Sequence, residues 1–149
     1  LRDAEGVEGE GQMIGCGGVN EFRKVAEKEG GGWLADIGVS IHSGHWRKGY
    51  ASEALRAMLD WLFQEGTYAN DKDSPSPRDI ISKNTSQEDS KSATITQVFA
   101  QTLASNLPYQ SLMASIGLPG QLDEKGSGFG PEFVFNISKD EWRNARNRK

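Results

Sequence analysis

The sequence predicts an α/β (α+β) sheet domain, and three observations carry that reading. Residues Trp33 to Ile41 alternate strictly, residues Tyr50 to Gln64 repeat apolar side chains at helical spacing, and two further strand-then-helix successions follow. A length of 149 residues with 36% hydrophobic and 26% charged side chains suits one core, so the chain is read as a single domain over 1–149.

In chain order, the polar opening through Gly11 reads as a turn. Gln12 to Phe22 mixes apolar residues with Gly and predicts a short strand with a bulge. Arg23 to Gly32 is charged and closes in a Gly triplet, which predicts a hairpin connection. In the next strand Trp33, Ala35, Ile37, Val39 and Ile41 share one face, and Leu34, Asp36, Gly38 and Ser40 the other. The loop HSGHWRKG leads into the clearest helix, where Ala51, Ala54, Leu55, Met58, Leu59, Leu62 and Phe63 follow the i, i+3, i+4, i+7 rule and Gly66 supplies a stop. Residues 70–92 hold six Ser, two Pro and only Ile80 and Ile81 as apolar side chains, too few to offset the entropy of ordering, so a disordered loop is expected there. Thr94 to Gln101 reads as a strand, and Asn106 as the N-cap of a helix running to Ile116 with Gly117 behind it. Glu132 to Ile137 is the last strand. Ser138 to Glu141 then forms a capping box, with Ile137 and Trp142 as its hydrophobic staple.

Charge and cysteine content exclude several functions. Lys and Arg total 17 against 21 Asp and Glu, a net charge of −4, which argues against coating nucleic acid or an anionic membrane. The single cysteine, Cys16, allows no internal disulfide, and the opening residues lack a secretory apolar region, so a cytoplasmic setting is expected. Cys16 reads as a small buried hydrophobe and the four Trp as core. His42 and His45 lie three residues apart with no carboxylate or thiol at ligand spacing, so no metal is expected.

The loop entering the long helix is the most informative segment. A helix start leaves amide hydrogens unpaired and carries partial positive charge; Gly49 lets the backbone approach a ligand, and Arg47 and Lys48 add full charges. That combination suits a phosphate or pyrophosphate, although a solvated basic turn would look similar. The spacing matches neither a GxxxxGK[ST] loop nor a GxGxxG turn.

From Asp36 to Ala54, the residues Asp36, Gly38, Trp46, Gly49, Tyr50, Ala51, Glu53 and Ala54 resemble, without a gap, the acetyl-CoA motif of the GNAT superfamily of N-acetyltransferases, in its RimJ/RimL-like branch. A second block, Asn106 to Leu118, is similar to the family's Asn-x-x-Ser…Gly-Phe helix, with Asn106 and Gly117 at the fixed positions. The resemblance implies a mixed, mainly antiparallel sheet flanked by helices. It also implies a first strand and helix pair for which the chain shows no counterpart, so the fold is expected to be N-terminally incomplete.

The implied activity is transfer of acetyl from acetyl-CoA to a primary amine, either a protein N-terminus or a small molecule. The alternative is an inactive CoA-binding remnant. By resemblance the loop residues Trp46, Arg47, Lys48, Gly49, Tyr50, Ala51 and Ser52 would cradle the pyrophosphate, Ile41 would bond the pantetheine arm, and Asn106 would contact the cofactor further along. Asp36 stands where the family often places Glu, which makes it the candidate general base. Met113 occupies the usual position of an acidic Tyr, leaving Tyr109 or Ser111 as candidate acids. The sequence departs from the branch at Arg47, where Gly is usual, at Ser43 and at Val39.

Overall fold

The computed structural model describes residues 2–3, 11–69, 72–84 and 93–148. A short antiparallel pair, β1 (Arg2–Asp3) with β2 (Gln12–Met13), precedes a five-stranded sheet. The sheet holds β3 (Gly15–Lys24), β4 (Trp33–Ile41), β5 (Ile95–Leu103), β6 (Gln121–Asp123) and β7 (Glu132–Ser138), in the spatial order β3-β4-β5-β7-β6. Four helices are described: α1 (Tyr50–Phe63), α2 (Pro77–Asn84), α3 (Leu107–Ser115) and α4 (Lys139–Asn147). Neighbouring strands are antiparallel except β4 and β5, whose parallel pairing requires the long crossover that contains α1. This is the mixed, mainly antiparallel sheet that the resemblance implied.

The alternation in β4 decides where the core lies. Trp33, Ala35 and Ile37 are buried, and around them gather Leu55, Leu59, Leu62 and Phe63 of α1, Val98 of β5, Met113 of α3 and Phe135 of β7. Trp142 of α4 is 0% exposed and gives its indole N–H to Asp60 at 2.9 Å, so the last helix is tied to the end of α1. Arg146 adds an ion pair to Asp60 at 3.2 Å, and Arg143 reaches Glu65 at 2.8 Å. The Ser138–Glu141 capping box forms as expected, with Ile137 and Trp142 both buried beside it.

The bulge expected within Gln12 to Phe22 is present in β3. Val19 opposes Ile37 and Glu21 opposes Asp36, so Asn20 is the extra residue. It reconciles a three-residue spacing with a two-residue period, because Val19 and Phe22 both pack against the core. In the charged connection Gly30, Gly31 and Gly32 all take positive φ.

Several expectations are corrected. Within the 70–92 stretch, Pro77–Asn84 is helical, because Ser76 and Asp79 bond reciprocally at its start and Ile81 is buried in the core. Residues 70–71 and 85–92 lie outside the described residues, as do 4–10 of the expected opening turn, while Arg2–Asp3 is paired strand. The left-handed stop of α1 is Gln64, at φ 51°, ahead of Gly66, and its side-chain amide bonds Trp61 O. Cys16 is exposed on β3, on the face away from the core. Among the described residues no helix is long and apolar enough to cross a membrane.

Candidate functional site

The site begins where β4 and β5 stop pairing. Their parallel ladder ends at Asp36 opposite Phe99, although β4 continues to Ile41 and β5 to Leu103. Beyond that point each strand follows its other neighbour: β4 stays on β3 as far as Ile41 opposite Gly15, and β5 stays on β7 as far as Leu103 opposite Glu132. The sheet therefore forks.

Trp33 N–H bonds Thr94 O on the β5 side, and His42 N–H bonds Ile14 O on the β3 side. By alternation the peptide groups of Ile37, Val39 and Ile41 point into the fork. One of them is taken, since Trp46 donates its indole N–H to Ile41 O at 2.6 Å. That bond corrects the expectation of a core Trp46: the ring is 53% exposed and straps the loop to the strand end.

A cavity of about 670 Å³ lies against the β4 branch of the fork and runs to the start of α1. Val39, Ser40 and Ile41 form one wall, and Trp46, Arg47 and Gly49 continue it. Tyr50, Ala51 and Ser52, the first turn of α1, close its end. Facing them, Asn106, Pro108, Tyr109, Ser111 and Leu112 come from α3 and its cap. Ten of the twelve residues anticipated from sequence thus share one cavity; Lys48 and Asp36 are not among its lining. Reading the sequence missed Pro108, Leu112 and Ser115, whose spacing with Ser111 (i, i+3, i+4, i+7) marks one helical stripe.

The mouth is electropositive by construction. Gly49, at φ 88°, is the N-cap of α1 and offers no side-chain cap, and the first helical bond is Glu53 N–H to Gly49 O. The amides of Tyr50, Ala51 and Ser52 therefore have no acceptor within the helix. A Cβ at Gly49 would meet nothing within 4 Å, so the backbone angle and not crowding calls for glycine. Arg47 also lies in the left-handed region, at φ 61°, which costs an L-residue about 1 kcal/mol. The chain thus keeps the local backbone of a glycine at a position that carries a cation. His42 Nδ1 caps the preceding turn by accepting Gly44 N–H at 3.2 Å.

On α3, Asn106 Oδ1 accepts Tyr109 N–H at 3.2 Å and its amide donates to Thr102 Oγ1 at 2.8 Å, so the side chain that lines the cavity also caps the helix. The Tyr109 ring packs edge-on against Phe135. Burial, and secondly the negative charge of Asp36, push the Tyr109 hydroxyl above the usual tyrosine range, so it keeps its proton at neutral pH. Asp36 stands at the base of the fork with its side chain 20% exposed; Oδ1 accepts from Asn20 Nδ2 at 3.2 Å, and the Arg23 guanidinium lies 3.9 Å from Oδ2.

Residues 3–119 match the acetyltransferase (GNAT) domain family. Among solved structures, an acetyltransferase of the GNAT family from Bacillus anthracis superposes with a TM-score of 0.53 at 19% identity, covering 90% of this chain and 63% of that one. The ribosomal-protein-S5-alanine acetyltransferase of Vibrio fischeri gives 0.47 at 15% identity, covering 73% and 48%. RimJ of Mycobacterium smegmatis, in complex with CoA-disulfide, gives 0.45 at 15% identity, covering 72% and 41%. The chain thus spans less than two thirds of the length of each of these structures. No curated protein sequence matches it.

Proposed function

The chain belongs to the acetyltransferase (GNAT) domain family, and from that premise we propose that it transfers acetyl from acetyl-CoA to a primary amine, at a protein N-terminus or on a small molecule. The observation that supports this reading is the meeting of an open sheet fork with an uncapped helix start in one cavity. A ligand with an extended amide-bearing arm and an anionic end matches both halves of it.

The residues present fit such a group. The Val39 peptide and Ile41 N–H would bond the arm as an added strand, and the amides from Lys48 to Ser52 would hold the diphosphate with Arg47 neutralising it. Asn106 and the Pro108–Leu112 stripe would close over the arm. Bound acetyl-CoA would supply an activated thioester, whose carbon–sulfur bond breaks as the amine nitrogen joins the carbonyl carbon. Asp36 would take a proton from the acceptor ammonium, so that nitrogen presents a lone pair. The raised Tyr109 hydroxyl would return a proton to the departing sulfur, with Ser111 the other donor within the cavity.

Calorimetric titration of CoA into the wild type and Gly49→Glu tests the reading. Micromolar binding lost in the variant is expected; no binding to either protein, or equal binding to both, refutes it. Binding without thiol release for any amine in an acceptor screen would assign the inactive CoA-binding alternative. Asp36→Asn should lower turnover and leave CoA affinity near wild type, and an unchanged pH–rate profile would remove Asp36 from the chemistry.

A further inference from the structure

The bulge in β3 places an unusual group of side chains beside Asp36. In a regular antiparallel pair Asn20 would oppose Asp36, and Glu21 and Arg23 would alternate to the other faces. With Asn20 inserted, Glu21 takes the place opposite Asp36 and Arg23 the place opposite Leu34. Residues on both sides of the bulge then point to the Asp36 face, away from the core that holds Val19 and Phe22. Asn20, Glu21 and Arg23 surround a single carboxylate.

Their contacts divide the work. Asn20 Nδ2 donates to Asp36 Oδ1, and Arg23 approaches Oδ2 while pairing with Glu21 at 3.3 Å and lying 5.8 Å over the Phe99 ring. Phe99 is the last residue of β5 to pair with β4, so this group sits where the fork opens. The Arg23 pairs are half exposed and add little hold. The neutral amide is different, because it fixes one oxygen in direction without removing the charge that the other keeps.

We propose that Asn20 is a positioning residue for the acyl transfer, fixing the Asp36 carboxylate through Oδ1 at the base of the fork, and that the β3 bulge is what places it there. The assignment rests on the transferase reading above. It adds to that reading a residue outside the cavity and outside both resembling motifs.

The test compares wild type, Asn20→Ala, Asn20→Asp, Asp36→Asn and the double variant Asn20→Ala/Asp36→Asn. Thiol release is followed with acetyl-CoA and the amine that the wild type uses best, and CoA affinity and Tm are measured on the same samples. Asn20→Ala should lower kcat about tenfold, with the amine KM and CoA affinity within about twofold of wild type. Asn20→Asp, which sets a second carboxylate against the first, should lose more. In the Asp36→Asn background the Ala substitution should cost nothing further, since a residue acting through Asp36 has nothing left to position.

An unchanged kcat in Asn20→Ala, the same tenfold loss repeated in the Asp36→Asn background, or a loss that follows CoA affinity or Tm would each overturn the assignment and leave the transferase reading standing. A wild type that releases no thiol with any amine overturns both.

Discussion

The two halves of β4 share one sequence pattern and live in different surroundings. From Trp33 to Asp36 the strand is paired on both sides, and its apolar residues are sealed by α1, α3 and α4. From Ile37 to Ile41 only β3 remains beside it, and Val39 and Ile41 turn from core to cavity wall. Helix α1 repeats the contrast. Its C-terminal end is latched by Trp142, Arg143 and Arg146, whereas its N-terminal end has no side-chain cap and carries cations where a helix start disfavours them. One end of the molecule is built for stability and the other keeps unmet bonding capacity.

The contrast can be broken most directly within β4. Trp33→Ala should cost about 3 kcal/mol and lower Tm by about 6–12 °C while leaving CoA affinity nearly unchanged below the transition. Ile41→Ala should cost under about 1 kcal/mol yet weaken CoA binding several-fold. Equal thermal effects would mean that the two halves are not distinct.

A smaller effect is expected at the latch. The hydrogen bond from Arg143, with help from Lys139, holds the Glu65 carboxyl below its ordinary range. A folded value below the unfolded one stabilises at neutral pH and is lost as pH falls through the carboxylate range. Glu65→Gln should therefore lower Tm by about 2–4 °C at pH 7, with the gap closing by about pH 3. A constant gap across that window would assign the loss to packing.

The smallest effect has the opposite sign. Arg47→Gly relieves a left-handed residue but frees the unfolded chain, so a net gain of about 0.5 kcal/mol, or about 1–2 °C, is expected together with weaker CoA binding at low salt. A destabilised variant would show that Arg47 is held by contacts and is not strained.

Elements with a strong period were legible from the sequence. Trp33–Ile41 was bounded to the residue because its odd positions are all apolar, and α1 was placed to within one residue at its C-terminal end because its apolar stripe runs four turns. The loop was legible because its chemistry is local. Helix α2 was hidden since its stability rests on Ile81 reaching a distant core, although Ser76-Pro77-Arg78-Asp79 spells a helix start. Trp46 misled because composition ranks tryptophan as core, while its N–H had a partner only at the strand end. Neither the fork nor the Asn20–Asp36 contact could be read in advance, since both depend on register between strands.

The fork also gives the site a schedule. Its first wall and its positive mouth are complete by Ser52, but the second wall lies on a helix that ends at Ser115. During synthesis the edge of β4 and the charged loop emerge about 3–12 s before the helix that covers them, at about 5–20 residues per second. For that interval the chain holds no residue of the second wall, and the polar, serine-rich stretch that follows α1 is what leaves the ribosome next.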